Sequence, residues 1–252
     1  MNVLLSGVVG STAYGLAHAG SDLDQLGVYA APTVDLLGIH RPRSESVVTT
    51  HPDRTLHEAA KWCRLALTSN PTASELLWLP SELYQVVTPL GAELIELRPG
   101  FAGAGCVRSA YLGYCSQQLR KIKARGDRAR AAGDPDGADR LRSAKAARHL
   151  VRLTLQGTGL HRTGELLIRL PDPERVRELG ERIAERPEVG DQLLREAEEA
   201  FDRPGVLPAE PDTAAAEAWL RRVRAAFYPD RAAPGPAGPG VRPVPDWARL
   251  EA

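Results

Sequence analysis

Neither sign of charge is in excess here. Lysine and arginine number 32 and aspartate and glutamate 32, so no global field argues for DNA, a membrane surface or an acidic partner. Cysteine is scarce: the three present, Cys63, Cys106 and Cys115, form no CxxC pair and are odd in number. That excludes a disulfide framework and a zinc site of the usual spacing, and it fits reduced thiols in a cytoplasmic protein. No apolar run is long enough for a bilayer. "MNVLLSGVV" is apolar, but it lacks the basic start and the length of a signal peptide, so it reads as a buried first strand. Internal repeats are absent too.

What is present divides along the chain. From Met1 to about His57 the pattern is strand-like: "NVLLSGVV", then "DLDQLGVYAA", then "SESVVTT" and "RTLH" flanking the turn signal "HPD". Between the first two runs, "STAYGLAHAG" predicts two or three turns of helix ended by Gly20. Beyond Glu58 the chain becomes helical. "EAAKWCRLALTS" spaces Trp62, Leu65 and Ala66 for one buried face. Asn70-Pro71 opens a helix, Asn capping and Pro first, which "TASELLWL" continues. Two long helices follow, roughly 105–131 and 137–156 with "AGDPDG" between them, and then three more. The expectation is an α+β protein: a small mixed sheet in a core of residues 1–100, a mostly helical region 101–228, and a Pro/Gly-rich tail 229–252.

The chemistry concentrates in "GVVGSTAYGLAHAGSDLDQLGVY". On a strand, alternation puts Asp22 and Asp24 on one face and Leu23 on the other. Two carboxylates at that separation repel unless a cation lies between them. Mg2+ suits them, being hard and commonly held by one or two carboxylates plus substrate phosphates. Solvated surface is the bland alternative. Gly10-Ser11 at a strand end offers backbone N–H groups and a hydroxyl, and the following helix would aim its N-terminus at the same place, an arrangement suited to a triphosphate. Alone, such a turn is usually only a turn.

In this order and spacing the two pieces resemble the DNA polymerase β nucleotidyltransferase superfamily, whose signature is GS-x10-DxD. "GSTAYGL…SDLDQLGVYAAP", "DRTLHEAAKWCRLALTSNPTASELLW", "AYLGYCSQQLRKI" and "KAARHLVRLTLQGTGLHRTGELLIRLP" are similar to its RNA-repair-associated branch, over roughly residues 3 to 171. The resemblance implies a two-metal site, Mg2+ or Mn2+ in its place, completed by a third carboxylate on a neighbouring strand. By position that is Asp53, heading "DRTLHE". Pro52 before it and Arg54 after it are irregular for the pattern, so Glu58 and Glu45 stand as competitors.

Lys145, His149 and Arg152 fall at i, i+4 and i+7 on one helix face. A solvated basic stripe is the commoner meaning of such a pattern. Because "KAARHL" belongs to the resemblance, these residues are expected beside the nucleotide phosphates, where Lys and Arg would stabilise developing charge. Tyr14 could stack on a base or simply pack. Lys61 could face the site, Trp62 reads as core, and Asn70 and Glu75 read as architectural. "RKIKARGDRARA" could grip RNA phosphates, though no aromatic interleaving supports single-strand stacking. His40, His51, His57 and His161 have no recognisable catalytic partner.

Residues and resemblance together predict a Mg2+-dependent nucleotidyltransferase. It would bind an NTP such as ATP through Gly10, Ser11, Lys145, His149 and Arg152, hold metal on Asp22, Asp24 and Asp53, and release pyrophosphate. The acceptor hydroxyl could belong to an RNA 3′ end, a protein or a small molecule; no membrane is involved. The competing expectation is a non-catalytic module that binds a nucleotide or a partner on the same fold.

Overall fold

In the computed structural model, which describes residues 1–37, 39, 44–132 and 137–228, a five-stranded mixed sheet carries the first half of the chain. Its strands are β1 (Asn2–Val8), β2 (Gln25–Ala30), β3 (Ser46–Thr50), β4 (Asp53–Glu58) and β5 (Tyr84–Val87), in the order β3-β4-β2-β1-β5. β1 is antiparallel to β2 and β5, β2 runs parallel to β4, and β3–β4 is the expected hairpin. β1 and β2 lie centrally. Leu4, Leu5, Leu26 and Val28 are buried, as near-continuous apolar runs on covered strands require.

The helices are α1 (Gly10–Tyr14), α2 (Thr33–Leu37), α3 (Ala59–Leu67), α4 (Pro71–Glu75), α5 (Pro89–Glu96), α6 (Ala104–Ala132), α7 (Gly137–Thr163), α8 (Pro173–Glu185), α9 (Pro187–Asp202) and α10 (Thr213–Ala226). Capping explains several starts. The Glu58 carboxylate accepts from the Ala60 amide at 2.8 Å, and Asn70 accepts from Ala73 at 3.1 Å ahead of Pro71. Thr88 caps α5, with Pro89 first.

Four expectations need correction. α1 spans only five residues and stops at Gly15, whose φ is 77°, not at Gly20; the left-handed turn that glycine permits comes five residues early. The second strand begins at Gln25, so the aspartates precede it rather than lying within it. α4 tightens into a 3-10 turn at Leu76–Trp78 instead of running on. α7 continues to Thr163, beyond Gln156.

α6 and α7 pack antiparallel. Gly157 lets Tyr111 lie directly on α7, since a Cβ there would come 2.6 Å from the ring. α8 and α9 cover α7. α10 returns to the first half: Trp219 is fully buried, its Nε1 donates to the Leu90 carbonyl at 2.9 Å, and Arg224 grips Glu58 at 2.6 and 2.9 Å. One apolar core runs from Leu4 through Trp62 and Leu150 to Val223. Cys63 and Cys115 are buried and all three cysteines are free. No described helix is long and apolar enough to cross a membrane. The expected tail, 229–252, lies outside the described residues.

Candidate functional site

Gly10 and Asp24 meet at the end of β1. The Val9 amide donates to the Asp24 carbonyl at 2.9 Å, carrying the β1–β2 ladder past Gln25. Gly10 has φ +69°, and a Cβ on it would sit 2.1 Å from Asp24 Oδ2. The backbone conformation favours glycine, and any Cβ there would push the Asp24 carboxylate aside. The phosphate-type turn and the carboxylate are thus a single piece of surface.

Asp53 heads the neighbouring strand. Gln25 pairs with Arg54 in the parallel β2–β4 register, so Asp24 and Asp53 each come one residue before that pair, at the same end of the two strands. Their charges interact. Burial raises the pKa of Asp24 and Asp53 raises it further, while Lys145 pulls it down and Asp22 pushes it up again. Asp22 is exposed, and so is Leu23.

The competitors for the third carboxylate stand elsewhere. Glu58 pairs in register with Tyr29 at the far end of β4, about 16 Å along the strand from Asp53. Burial works to raise its pKa, yet the hydrogen bonds from Arg224 and the Ala60 amide bring it below the usual carboxylate range. Glu45 is exposed and engaged with Arg64 at 2.7 Å. Lys61 is also remote from Asp24, donating to Ser46 Oγ at 2.7 Å beside His57.

The expected basic face on α7 divides. Lys145 is exposed and its charge reaches Asp24. His149 is pushed down to about 3, by burial first and then by Arg152, Lys121 and Lys145. It is therefore neutral near pH 7, and its Nδ1 accepts from Arg152 Nη2 at 2.9 Å. Arg152 is 2 % exposed, and its guanidinium carbon lies 4.1 Å from the centre of the Tyr14 ring. Nη1 lies 2.5 Å from Gln156 Oε1 and 3.8 Å from Glu75 Oε2. Arg152 is turned into the protein. Tyr14 packs beneath it and donates to Glu75.

A second exposed lysine, on α6, lies near this face of α7. Arg125 on α6 reaches the Arg142 carbonyl of α7 at 3.1 Å, which with the Tyr111–Gly157 contact sets Lys121 level with residues 145–149. Lys121 is exposed and its charge is felt at His149. Nearby Lys123 and Arg140 are instead engaged with Asp191 and Glu185, each at 2.7 Å. The signal lay inside "RKIKARGDRARA", but only the helix–helix register picks one lysine from that run.

Among the described residues no group of three or more histidine, cysteine or acidic side chains is placed to hold an ion as it stands. The donor set nevertheless fits a hard divalent cation. Asp22, Asp24 and Asp53 supply only carboxylate oxygens, and the repulsion of Asp53 and Asp22 on Asp24 is what such a cation would relieve. Beside them, α1 has no side-chain cap at its start. With only five residues its summed dipole is small, so an anion bound there would depend on the turn's own amides and Ser11.

Gly10→Ala should therefore strain the turn by roughly 1–2 kcal/mol and displace the Asp24 carboxylate. Ser11→Ala, losing one charge-assisted bond, should cost about 1.5–3 kcal/mol of triphosphate affinity. Titration with NTP should rank Gly10→Ala as the more damaging. Parental affinity in both variants would take the phosphate role away from this turn.

The family model described as RNA repair pathway DNA polymerase beta family matches residues 1–205. Among solved structures, a nucleotidyltransferase-like protein from Exiguobacterium sibiricum 255-15 is similar over 90% of this chain and 72% of its own, at 13% identity and a TM-score of 0.29. No curated protein matches the chain.

Proposed function

This chain belongs to the RNA repair pathway DNA polymerase beta family, and we propose on that premise that it transfers a nucleoside monophosphate from an NTP to a hydroxyl acceptor. The observation that carries the reading is the contact of Gly10 with Asp24, under the charges of Asp53, Lys145 and Asp22. A glycine turn and carboxylates lie together at one end of the central strands, an arrangement that phosphoryl transfer from a triphosphate could use.

The turn's amides and the Ser11 hydroxyl would bind the triphosphate. Asp22, Asp24 and Asp53 would hold Mg2+, or Mn2+ in its place, which when bound neutralises phosphoryl charge and favours ionisation of the attacking hydroxyl. Lys145, with Lys121 beside it, would stabilise charge on the departing pyrophosphate. The acceptor oxygen bonds to the α-phosphorus, its proton leaves toward the carboxylate edge, and the bridge to the β-phosphate breaks. RNA 3′ ends, protein hydroxyls and small-molecule hydroxyls all fit an open, exposed edge.

The test is incubation with each α-labelled NTP, Mg2+ or Mn2+, and separate pools of RNA, protein and metabolites. Metal-dependent label entering one pool, and abolished by chelation, is the expected result. NTP binding without transfer to any pool would favour the non-catalytic module. Neither binding nor transfer would overturn the reading.

A further inference from the structure

We infer that Tyr14, Glu75 and Arg152 are positioning residues for the Gly10-Ser11 turn, so that the helical region sets where the triphosphate is held. The inference rests on the nucleotide role proposed for that turn. Tyr14 is the last residue of α1, and Gly10 is the first. The helix is about 7 Å long, so whatever fixes one end fixes the other.

The far end is held almost entirely by residues distant in sequence. The Tyr14 hydroxyl donates to Glu75, and the Arg152 guanidinium covers its ring. The Tyr14 carbonyl accepts from the Leu170 amide at 3.2 Å, and the Gly15 carbonyl accepts from Arg177 Nη2 at 3.3 Å. Gln156 passes the constraint on, accepting from Arg152 and donating to the Leu167 carbonyl at 3.1 Å. The near end, by contrast, has no side-chain cap. α1 is thus clamped at its C-terminal side by α4, α7, α8 and the α7–α8 connection, and it presents its start to the site.

Apolar residues would hold these surfaces together equally well, since a buried ion pair seldom adds net stability over a packed apolar replacement. What the polar knot adds is direction. A hydroxyl bonded to a carboxylate, with a planar cation on the ring face, admits few orientations of Tyr14. That is what a turn within contact distance of Asp24 requires.

The test compares Tyr14→Phe, Glu75→Gln and Glu75→Ala in the full chain, reading amide exchange without NTP and then steady-state kinetics. Tyr14→Phe should speed exchange at Gly15 and Leu16, whose amides close α1, by about tenfold, with little change elsewhere. The KM for NTP should rise about ten- to a hundredfold, while kcat at saturation stays near the parental value. Glu75→Gln still offers an oxygen to the Tyr14 hydroxyl and should recover much of the KM that Glu75→Ala loses. Exchange that rises uniformly over the chain, or a KM unchanged in Tyr14→Phe and in Glu75→Ala, would overturn the inference. If the parent itself binds no NTP, the proposed function falls, while exchange at Gly15 and Leu16 still decides whether the knot holds the turn.

Discussion

Asp24→Asn should give a folded protein whose nucleotide transfer falls by about three orders of magnitude or more, and whose metal-free form melts above the parent at neutral pH. Both effects have one origin. Burial, Asp53 and Asp22 hold the Asp24 pKa above its ordinary value against the pull of Lys145. The folded state therefore keeps this proton to higher pH than the unfolded chain does. Stability is undiminished in acid and declines as pH climbs from the unfolded carboxylate range through the raised value. Asparagine carries no charge at any pH, so its advantage should be absent in acid, grow across that window and then level off. Added Mg2+ should reverse the order of melting, because only the parent gains a tightly bound ion in its native state. Thermal melts at several pH values, with and without Mg2+, run beside transfer assays, check all of this. Transfer surviving in Asp24→Asn would remove Asp24 from the reaction, and identical melting at every pH would remove the repulsion.

Arg152→Ala should destabilise the fold by about 3–5 kcal/mol, the usual cost of leaving one member of a buried charged pair alone. Lys145→Ala, seven residues earlier on the same helix but exposed, should change stability by about half a kcal/mol at most. Burial separates the two cases. Arg152 neutralises Glu75, whose pKa burial pushes up to about 7 while Arg152 and the Tyr14 hydroxyl hold it down. Removing the cation leaves that carboxyl in the core with no counter-charge. Urea denaturation of the two variants gives the comparison. Similar small losses in both would mean that Arg152 is solvated and free to meet a ligand. A joint apolar replacement, Glu75→Leu with Arg152→Met, should regain much of the stability without regaining NTP affinity.

The sequence was most legible where partners are near. "NVLLSGV" reads as a strand from composition, the β3–β4 hairpin from its turn residues, and α4 from Asn70 capping ahead of Pro71. Gly10, Asp24 and Asp53 could be brought together through the family resemblance; the Gly10–Asp24 approach and the start of the β2–β4 register one residue after Asp24 and Asp53 agree with that. β5 was missed because four residues of strand carry little pattern and their partner, β1, lies about eighty residues away. The end of α1 was misplaced because Gly15 and Gly20 are equally able to stop a helix, and the sequence does not say which does. The burial of Arg152 was the least legible feature of α7. A period of three and four puts it in line with Lys145, but α7 is covered by neighbours at that point, and Leu150, Val151 and Leu153 beside it are all buried. Its carboxylate partner stands 77 positions earlier, a separation no helical spacing reveals.

Glu58 starts α3 as its cap, yet the arginine that holds it comes 166 residues later. The last described helix thus completes the core of the first hundred residues, and it lies beyond residue 205, where the family match ends. On a ribosome adding about 5–20 residues per second, the stretch from Phe101 to Ala226 takes roughly 6–25 s to make. Through that interval the nascent sheet has its five strands but not Trp219 or Val223, both fully buried at the end. The apolar surface they cover would face solvent and any nearby nascent chain, so the order of synthesis gives a chaperone a defined interval in which to act.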